Sequence, residues 1–340
     1  MSLKTLKVLM IAAAVAISAA LPASASADAG AKVRIGSSVR SLFSLPLYVA
    51  DQKGYFKEEG LDVEISFFRG GPPATAALLG GSIDLVAASF ENQLKVNKRG
   101  VGVKTILNLQ SDFSGALAVH ESWLAGHPGK PDVRSLKGAR IATLSRGGYA
   151  DMALRYILQD AGLDPDKDAT LIPVSGYDKV LAAAQAGELD AALFVEPWQT
   201  IAVEGSGQWQ YVVDITRGQG PDVFKDMAYV TLQSSPAYLE SHPQAAAKVV
   251  KAIVKAQGFI RDAQHLEELV QIAQRVFPDT DAGTLRASIA KQEHTFRPAL
   301  KPDMIEKNMK LLLANKAIQD PAPQPSDVFE LQYLKAAGVN

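Results

Sequence analysis

The sequence predicts an α/β chain of two lobes, each built around a parallel sheet. Two observations predict it. Short β-rich runs alternate with helical stretches from Lys32 onward, the pattern of strands joined by right-handed helical crossovers. The plan then repeats. A Gly-Leu-Asp opening at Gly60, an apolar run Val63–Phe68, an Ala-rich helix and a Gly-x-Ile-Asp close at Asp84 return as Gly162–Asp164, Ala169–Val174, Lys179–Gln185 and Gly187–Asp190. Ile35, Gly81 and Asp84 each have a partner 106 positions on, at Ile141, Gly187 and Asp190.

The first 27 residues stand apart from this plan. Lys4 and Lys7, the apolar run Val8–Leu21 and the Ala-x-Ala ending of Pro22–Ala27 read as a secretory signal peptide, cleaved after Ala25 or Ala27. The apolar run is too short for a membrane span, which takes about 20 residues. No cysteine occurs, so there is no lipid-attachment site, and an exported chain without disulfides must hold together on its core alone. Removing Lys4 and Lys7 from the 35 basic residues leaves 33 against 36 acidic ones. That balance argues against nucleic acid, which calls for a basic stripe.

Lobe one takes 28–117 and 229–340; lobe two takes 118–228. In lobe one the strands are Lys32–Gly36, Val63–Phe68, Ile83–Ala88 and Val101–Leu109. A helix starts at Pro46, and Pro72 and Pro73 sit where the first turn of another tolerates proline. Ala116–His120 is the expected crossing into lobe two. There the strands are Ala139–Thr143, Ala169–Val174, Asp190–Val195 and Gln210–Asp214, with helices Tyr149–Ala161 and Val180–Ala186. Tyr229–Gln233 is the expected crossing back. After it the pattern is helical only: Gln244–Asp262, Glu267–Val276, Asp281–Gln292, Pro302–Asn315 and, past a Pro-rich loop, Val328–Ala337.

Several chemistries find no support. The histidines, at 120, 127, 242, 265 and 294, have no metal-ligand spacing. Asp164, Asp166 and Asp168 resemble the start of a calcium loop, but Ala169 stands where glycine is needed and Ser175 where glutamate is needed. No nucleophile elbow, Walker loop or G-x-G-x-x-G occurs. No cofactor is expected.

What remains is a binding site. Parallel α/β sheets bind ligands at the carboxyl ends of their strands. Those ends are Ser37–Ser41, Arg69–Pro73 and Ser89–Glu91 in lobe one, and Ser145–Tyr149, Ser175–Asp178 and Glu196–Trp198 in lobe two. The repeat pairs them, so lobes that face each other bring all six loops to one cleft. Gly70, Gly71, Gly147 and Gly148 would let backbone amides approach a ligand, and helix N-termini favour anions. Arg40, Arg69 and Arg146 would match a planar oxyanion. Phe43, Phe90, Tyr149, Tyr177 and Trp198 would wall an apolar body. Glu91, Asp178 and Glu196 complicate a purely anionic reading: they could pair with the arginines, hold a ligand amine or face solvent.

Four stretches resemble a known family: Gly54–Val63 (GYFKEEGLDV), Gly81–Leu85 (GSIDL), Leu136–Ala142 (LKGARIA) and Asp190–Pro197 (DAALFVEP). They look like periplasmic substrate-binding proteins of ABC importers, in the nitrate/sulfonate/taurine/bicarbonate class that also includes thiamine-precursor binders. The resemblance covers roughly 32–260. It implies a type II two-lobed fold with a two-strand hinge. Carried over, its ligand contacts fall on Ser38, Arg40, Gly70, Gly71, Ser89, Phe90, Ser145, Arg146, Gly147, Gly148 and Glu196, to which the loop reading adds Tyr177 and Trp198.

The expected function is a monomeric periplasmic receptor, not an enzyme. It would trap a small organic anion, a sulfonate or carboxylate, and deliver it to a membrane permease and its ATPase. The alternatives are a same-fold enzyme of heterocycle or pyrimidine metabolism and a ligand-sensing subunit.

Overall fold

The computed structural model describes residues 30–319 and 321–339; the signal-peptide reading lies outside them. Two five-stranded sheets form the two lobes. The first contains β1 (Ala31–Ser37), β2 (Leu61–Phe67), β3 (Leu85–Ser89), β4 (Lys104–Gln110) and β10 (Val230–Ser234), in the order β2-β1-β3-β10-β4. The second contains β5 (Gly115–His120), β6 (Arg140–Thr143), β7 (Thr170–Pro173), β8 (Ala191–Val195) and β9 (Trp209–Asp214), in the order β7-β6-β8-β5-β9.

Both sheets are mixed rather than wholly parallel. β10 runs antiparallel to β3 and β4, and β5 antiparallel to β8 and β9. The reason is connectivity. The parallel strands point their carboxyl ends at the other lobe, so a strand arriving from that lobe must run away from it. The expected crossings need the same adjustment. Ala116–His120 and Val230–Gln233 are interior strands of the sheets they enter. The chain crosses just before them, over 111–114 and 215–229.

Helices fill the faces. Lobe one carries α1 (Leu45–Gln52), α2 (Tyr55–Glu58), α3 (Gly71–Leu79) and α4 (Phe90–Asn97). Lobe two carries α5 (Glu121–Gly126), α6 (Tyr149–Asp160) and α7 (Tyr177–Gln185). Leu154, Ile157 and Leu158 of α6 are buried, as their spacing predicts. The C-terminal helices are α8 (Pro236–Ser241), α9 (Pro243–Ile260), α10 (Leu266–Val276), α11 (Ala282–Gln292), α12 (Pro302–Ala314), α13 (Pro325–Val328) and α14 (Gln332–Ala336). Prolines open α8, α9 and α12, and Asp281 caps α11 by accepting from Thr284 N at 2.9 Å. The single helix expected over Val328–Ala337 is broken at Phe329. That residue is extended, bridges Thr105 and buries its ring 5.4 Å from Phe90.

The repeat has a structural basis. Gly81 and Gly187 adopt φ 70° and 73°, a left-handed conformation that glycine tolerates without strain. Each leads to an aspartate that holds a parallel strand of its lobe, β1 in lobe one and β6 in lobe two. Asp84 accepts from Arg34 N at 2.7 Å and from Nη2 at 2.6 Å; Asp190 accepts from Arg140 N and Nη2, both at 2.7 Å.

Candidate ligand-binding cleft

Side chains from both lobes and both crossings meet where the strand ends face each other. Tyr149 opens α6, Tyr229 precedes β10, and Phe113 lies on the first crossing. Their rings form a triangle with centroids 4.7 Å (Tyr149–Tyr229), 5.1 Å (Phe113–Tyr149) and 5.1 Å (Phe113–Tyr229) apart. Phe43 reaches Tyr229 at 6.5 Å. Tyr177, the first residue of α7, lies 5.9 Å from Trp198. Its hydroxyl is buried, with the Val195 backbone as its polar neighbour.

Glu91 is fully buried in the first turn of α4. Its Oε2 accepts from Asn92 N at 2.6 Å, while Oε1 has a 3.5 Å contact to Lys95 Nζ. Burial raises its carboxyl above the ordinary range, and the Lys95 charge works against that. Burial first, then neighbours that include Glu91, push the Tyr149 and Tyr229 phenols well up. Burial does the same to Tyr177. Lys95 also donates to Gly147 O at 3.2 Å, so α4 of lobe one touches the loop before α6 of lobe two.

The predicted loop residues divide into three groups. Ser38, Gly70, Gly71 and Ser89 knit the strand ends of lobe one together. Gly70 N donates to Ser38 O at 2.7 Å, and Ser89 Oγ accepts from Asn92 Nδ2 at 3.0 Å. A Cβ on Gly71 would stand 2.0 Å from Asn92 Nδ2, so only glycine fits there undisturbed. Ser145, Arg146 and Gly147 are exposed, and Gly148 is half-buried. Arg40 and Arg69 are exposed too, with the Arg40 guanidinium 5.0 Å over the Phe67 ring. None of the three arginines reaches the tyrosines as a buried partner.

Phe90 and Glu196 point elsewhere. Phe90, expected on the cleft wall, is core in lobe one, where its ring packs 5.4 Å from that of Phe329. Glu196 lies beneath α11. Its Oε1 accepts from Thr200 Oγ1 at 2.9 Å and is 3.7 Å from Lys291 Nζ. The calcium-like run is a charged turn: Asp164 pairs with Lys167, Asp166 with Arg155 and Asp168 with Lys137.

Three residues grouped here were not singled out as site residues in the sequence: Lys95, Phe113 and Tyr229. Lys95 was legible in principle, since Glu91 and Lys95 stand at i,i+4 on a helix that opens at a strand end. The other two reach their places only through long-range packing.

The two-lobed α/β structure, joined by two crossing segments, has the fold of periplasmic binding proteins. Residues 28–274 match the NMT1-like family, and the chain belongs to it. It is 28% identical over 282 residues to a putative binding protein of Bacillus subtilis, YtlA, covering 82% of this chain and 80% of that one. It superposes with a TM-score of 0.71 on the alkanesulfonate-binding protein SsuA of Xanthomonas axonopodis pv. citri, at 20% identity and with 88% and 99% of the two chains covered. It is also 25% identical over 228 residues to a 4-amino-5-hydroxymethyl-2-methylpyrimidine phosphate synthase of Saccharomyces cerevisiae, THI13, covering 64% of this chain and 63% of that protein.

Proposed function

We propose that the chain is the solute receptor of an ABC importer. It traps a small organic molecule between its lobes and hands it to a membrane permease driven by an ATPase. The observation that carries this reading is the meeting of aromatic side chains from both lobes and both crossings at the facing strand ends, with Phe113, Tyr149 and Tyr229 packed 4.7–5.1 Å apart. Family membership and the binding-protein relative support the same class.

The signal-peptide reading assigns the receptor to the periplasm, where it would act as a free monomer without a cofactor. The arginines that favour a sulfonate or carboxylate sit on the exposed rim. An acidic group on the solute would therefore meet the rim, and its apolar or aromatic body would enter among the tyrosines. Ser38, Gly70, Gly71, Ser89, Gly147 and Gly148 would border it.

A thermal-shift screen of sulfonates, carboxylates, nitrate, bicarbonate, pyrimidines and aromatic amines tests this. Binding raises the melting temperature by mass action, and closure shows as a smaller radius of gyration in solution scattering. Chemical conversion of the bound solute by the purified chain would replace the receptor reading with an enzymatic one.

A further inference from the structure

Lys291 sits in the last turn of α11, away from the facing strand ends, and its side chain is only 10% exposed. Its ammonium donates to Thr200 Oγ1 at 2.9 Å and pairs with Glu204 Oε1. It also lies 3.4 Å from Tyr211 Oη and 3.7 Å from Glu196 Oε1. All four partners belong to lobe two. Thr200 Oγ1 relays the contact inward by donating to Glu196 Oε1 at 2.9 Å. A buried ammonium with several oxygen acceptors is held far more firmly than a surface lysine.

The body that carries Lys291 belongs to lobe one. α11 packs on α10, and α10 on α1. Just past Lys291 the chain is bound to β4 and to the hinge. Gln292 Oε1 accepts from Gln110 Nε2 at 2.9 Å, and Thr295 O accepts from Ser111 N at 2.8 Å. Arg297 then ties the two crossings together: its Nη2 donates to Asp112 Oδ1 at 3.0 Å and lies 3.5 Å from Asp226 Oδ1. Lys291 therefore stands about one helical turn from the pivot, on lobe one, and grips lobe two.

That position has a mechanical consequence. Rotation of lobe two about the crossings carries the segment 196–204 past α11, and an N–H···O bond is lost within about 1 Å of lengthening. In the structure the grip is made while Lys95 Nζ also donates to Gly147 O across the lobes at 3.2 Å. The two lobes are thus held together at two separate places at once.

Resting on the receptor reading for the motion of the lobes, we propose that Lys291 is a catch between them. It holds the lobes in this approach before any solute binds, and they separate only when its ammonium leaves Thr200 and Glu204. The catch sets the resting population of lobe arrangements and does not touch the solute.

The test is made on the full purified chain without solute. Dyes on Ser82→Cys and Glu188→Cys, exposed positions of the two lobes in a chain that has no other cysteine, report their separation by fluorescence energy transfer. Lys291→Met keeps the apolar stem and removes the ammonium. It should lower the resting transfer efficiency and enlarge the radius of gyration in solution scattering. Lys291→Arg, which keeps the cation, should stay closer to the parent than Lys291→Met. Thr200→Val with Glu204→Gln removes both direct partners while leaving Lys291 beside Glu196, and should shift transfer the same way; it decides the matter if Lys291→Met does not fold. Arg286→Met takes a charge from the same helix, but one paired with Glu267 of α10 inside lobe one, and should leave transfer at the parent value. The inference is overturned if the folded Lys291 and Thr200/Glu204 variants keep the parent's transfer or raise it, or if Arg286→Met lowers it equally. Because no solute is used, such a result removes the catch and leaves the receptor reading standing, to be decided by the thermal-shift screen.

Discussion

Lys291, in the last turn of α11, donates to Thr200 Oγ1 at 2.9 Å, so the C-terminal helices of lobe one are bonded directly to lobe two. The same ammonium pairs with Glu204 and lies 3.7 Å from Glu196, whose side chain is 1% exposed. Lys291→Met would leave Glu196 buried without a cation and should cost about 2–3 kcal/mol in urea unfolding. Glu204→Gln, at a partly exposed carboxylate, should cost less than about 1 kcal/mol. Equal losses from the two variants would contradict this division.

The buried glutamates set a pH dependence. Burial raises both Glu91 and Glu196 above the ordinary carboxylate value, against the pull of Lys95 and Lys291 respectively. Folding therefore favours their protonated forms. Their contribution is fully present below the unfolded value, about 4.5, and is lost as pH rises through the raised values. The melting temperature should fall across that window, and Glu91→Gln should flatten the fall. A slope that Glu91→Gln leaves unchanged would show that this carboxyl does not titrate there.

Asp190 behaves in the opposite sense. Burial works to raise it, but hydrogen bonds from Arg140 and the Arg140 charge outweigh that and hold it below the usual range. Its support is present above about 3.8 and lost only as pH falls through its lowered value. Asp190→Ala leaves Arg140 N without its side-chain acceptor and should cost about 1.5–3 kcal/mol by thermal unfolding. Asp84→Ala should cost a similar amount, because the Arg34–Asp84 contacts repeat those of Arg140–Asp190.

Gly71→Ala drives a methyl into Asn92 and should detach that amide from Ser89. The expected cost is about 1–2 kcal/mol, in the range of overpacking. In the double variant Gly71→Ala with Asn92→Ala most of that cost should return, since the two changes share one contact. Strictly additive losses in chemical denaturation would place the strain elsewhere.

The repeat was readable because it rests on backbone requirements. A left-handed turn at Gly81 and Gly187 demands glycine, and the aspartates that follow must reach β1 and β6. The direction of β5 and β10 was not readable, because a strand's apolar pattern is the same run either way. Nor was the destination of Glu196: Lys291, which meets it, is 91 positions beyond Thr200, and no local pattern records that pairing. At the strand ends, the sequence marks the loops but not the direction of each side chain: Phe90 and Glu91 are adjacent, and only the turn into α4 decides that the Phe90 ring packs on Phe329.

The claim that the two lobes close on a solute is tested most directly by a distance between them. Ser82 and Glu188 are exposed and follow the paired glycines of lobe one and lobe two, and the sequence contains no cysteine. Ser82→Cys with Glu188→Cys therefore gives two unique labelling sites for fluorescence energy transfer. Titration with each solute that raises the melting temperature should increase transfer in one saturable step with the midpoint found by calorimetry. A solute that binds by calorimetry yet leaves the transfer efficiency unchanged would contradict closure.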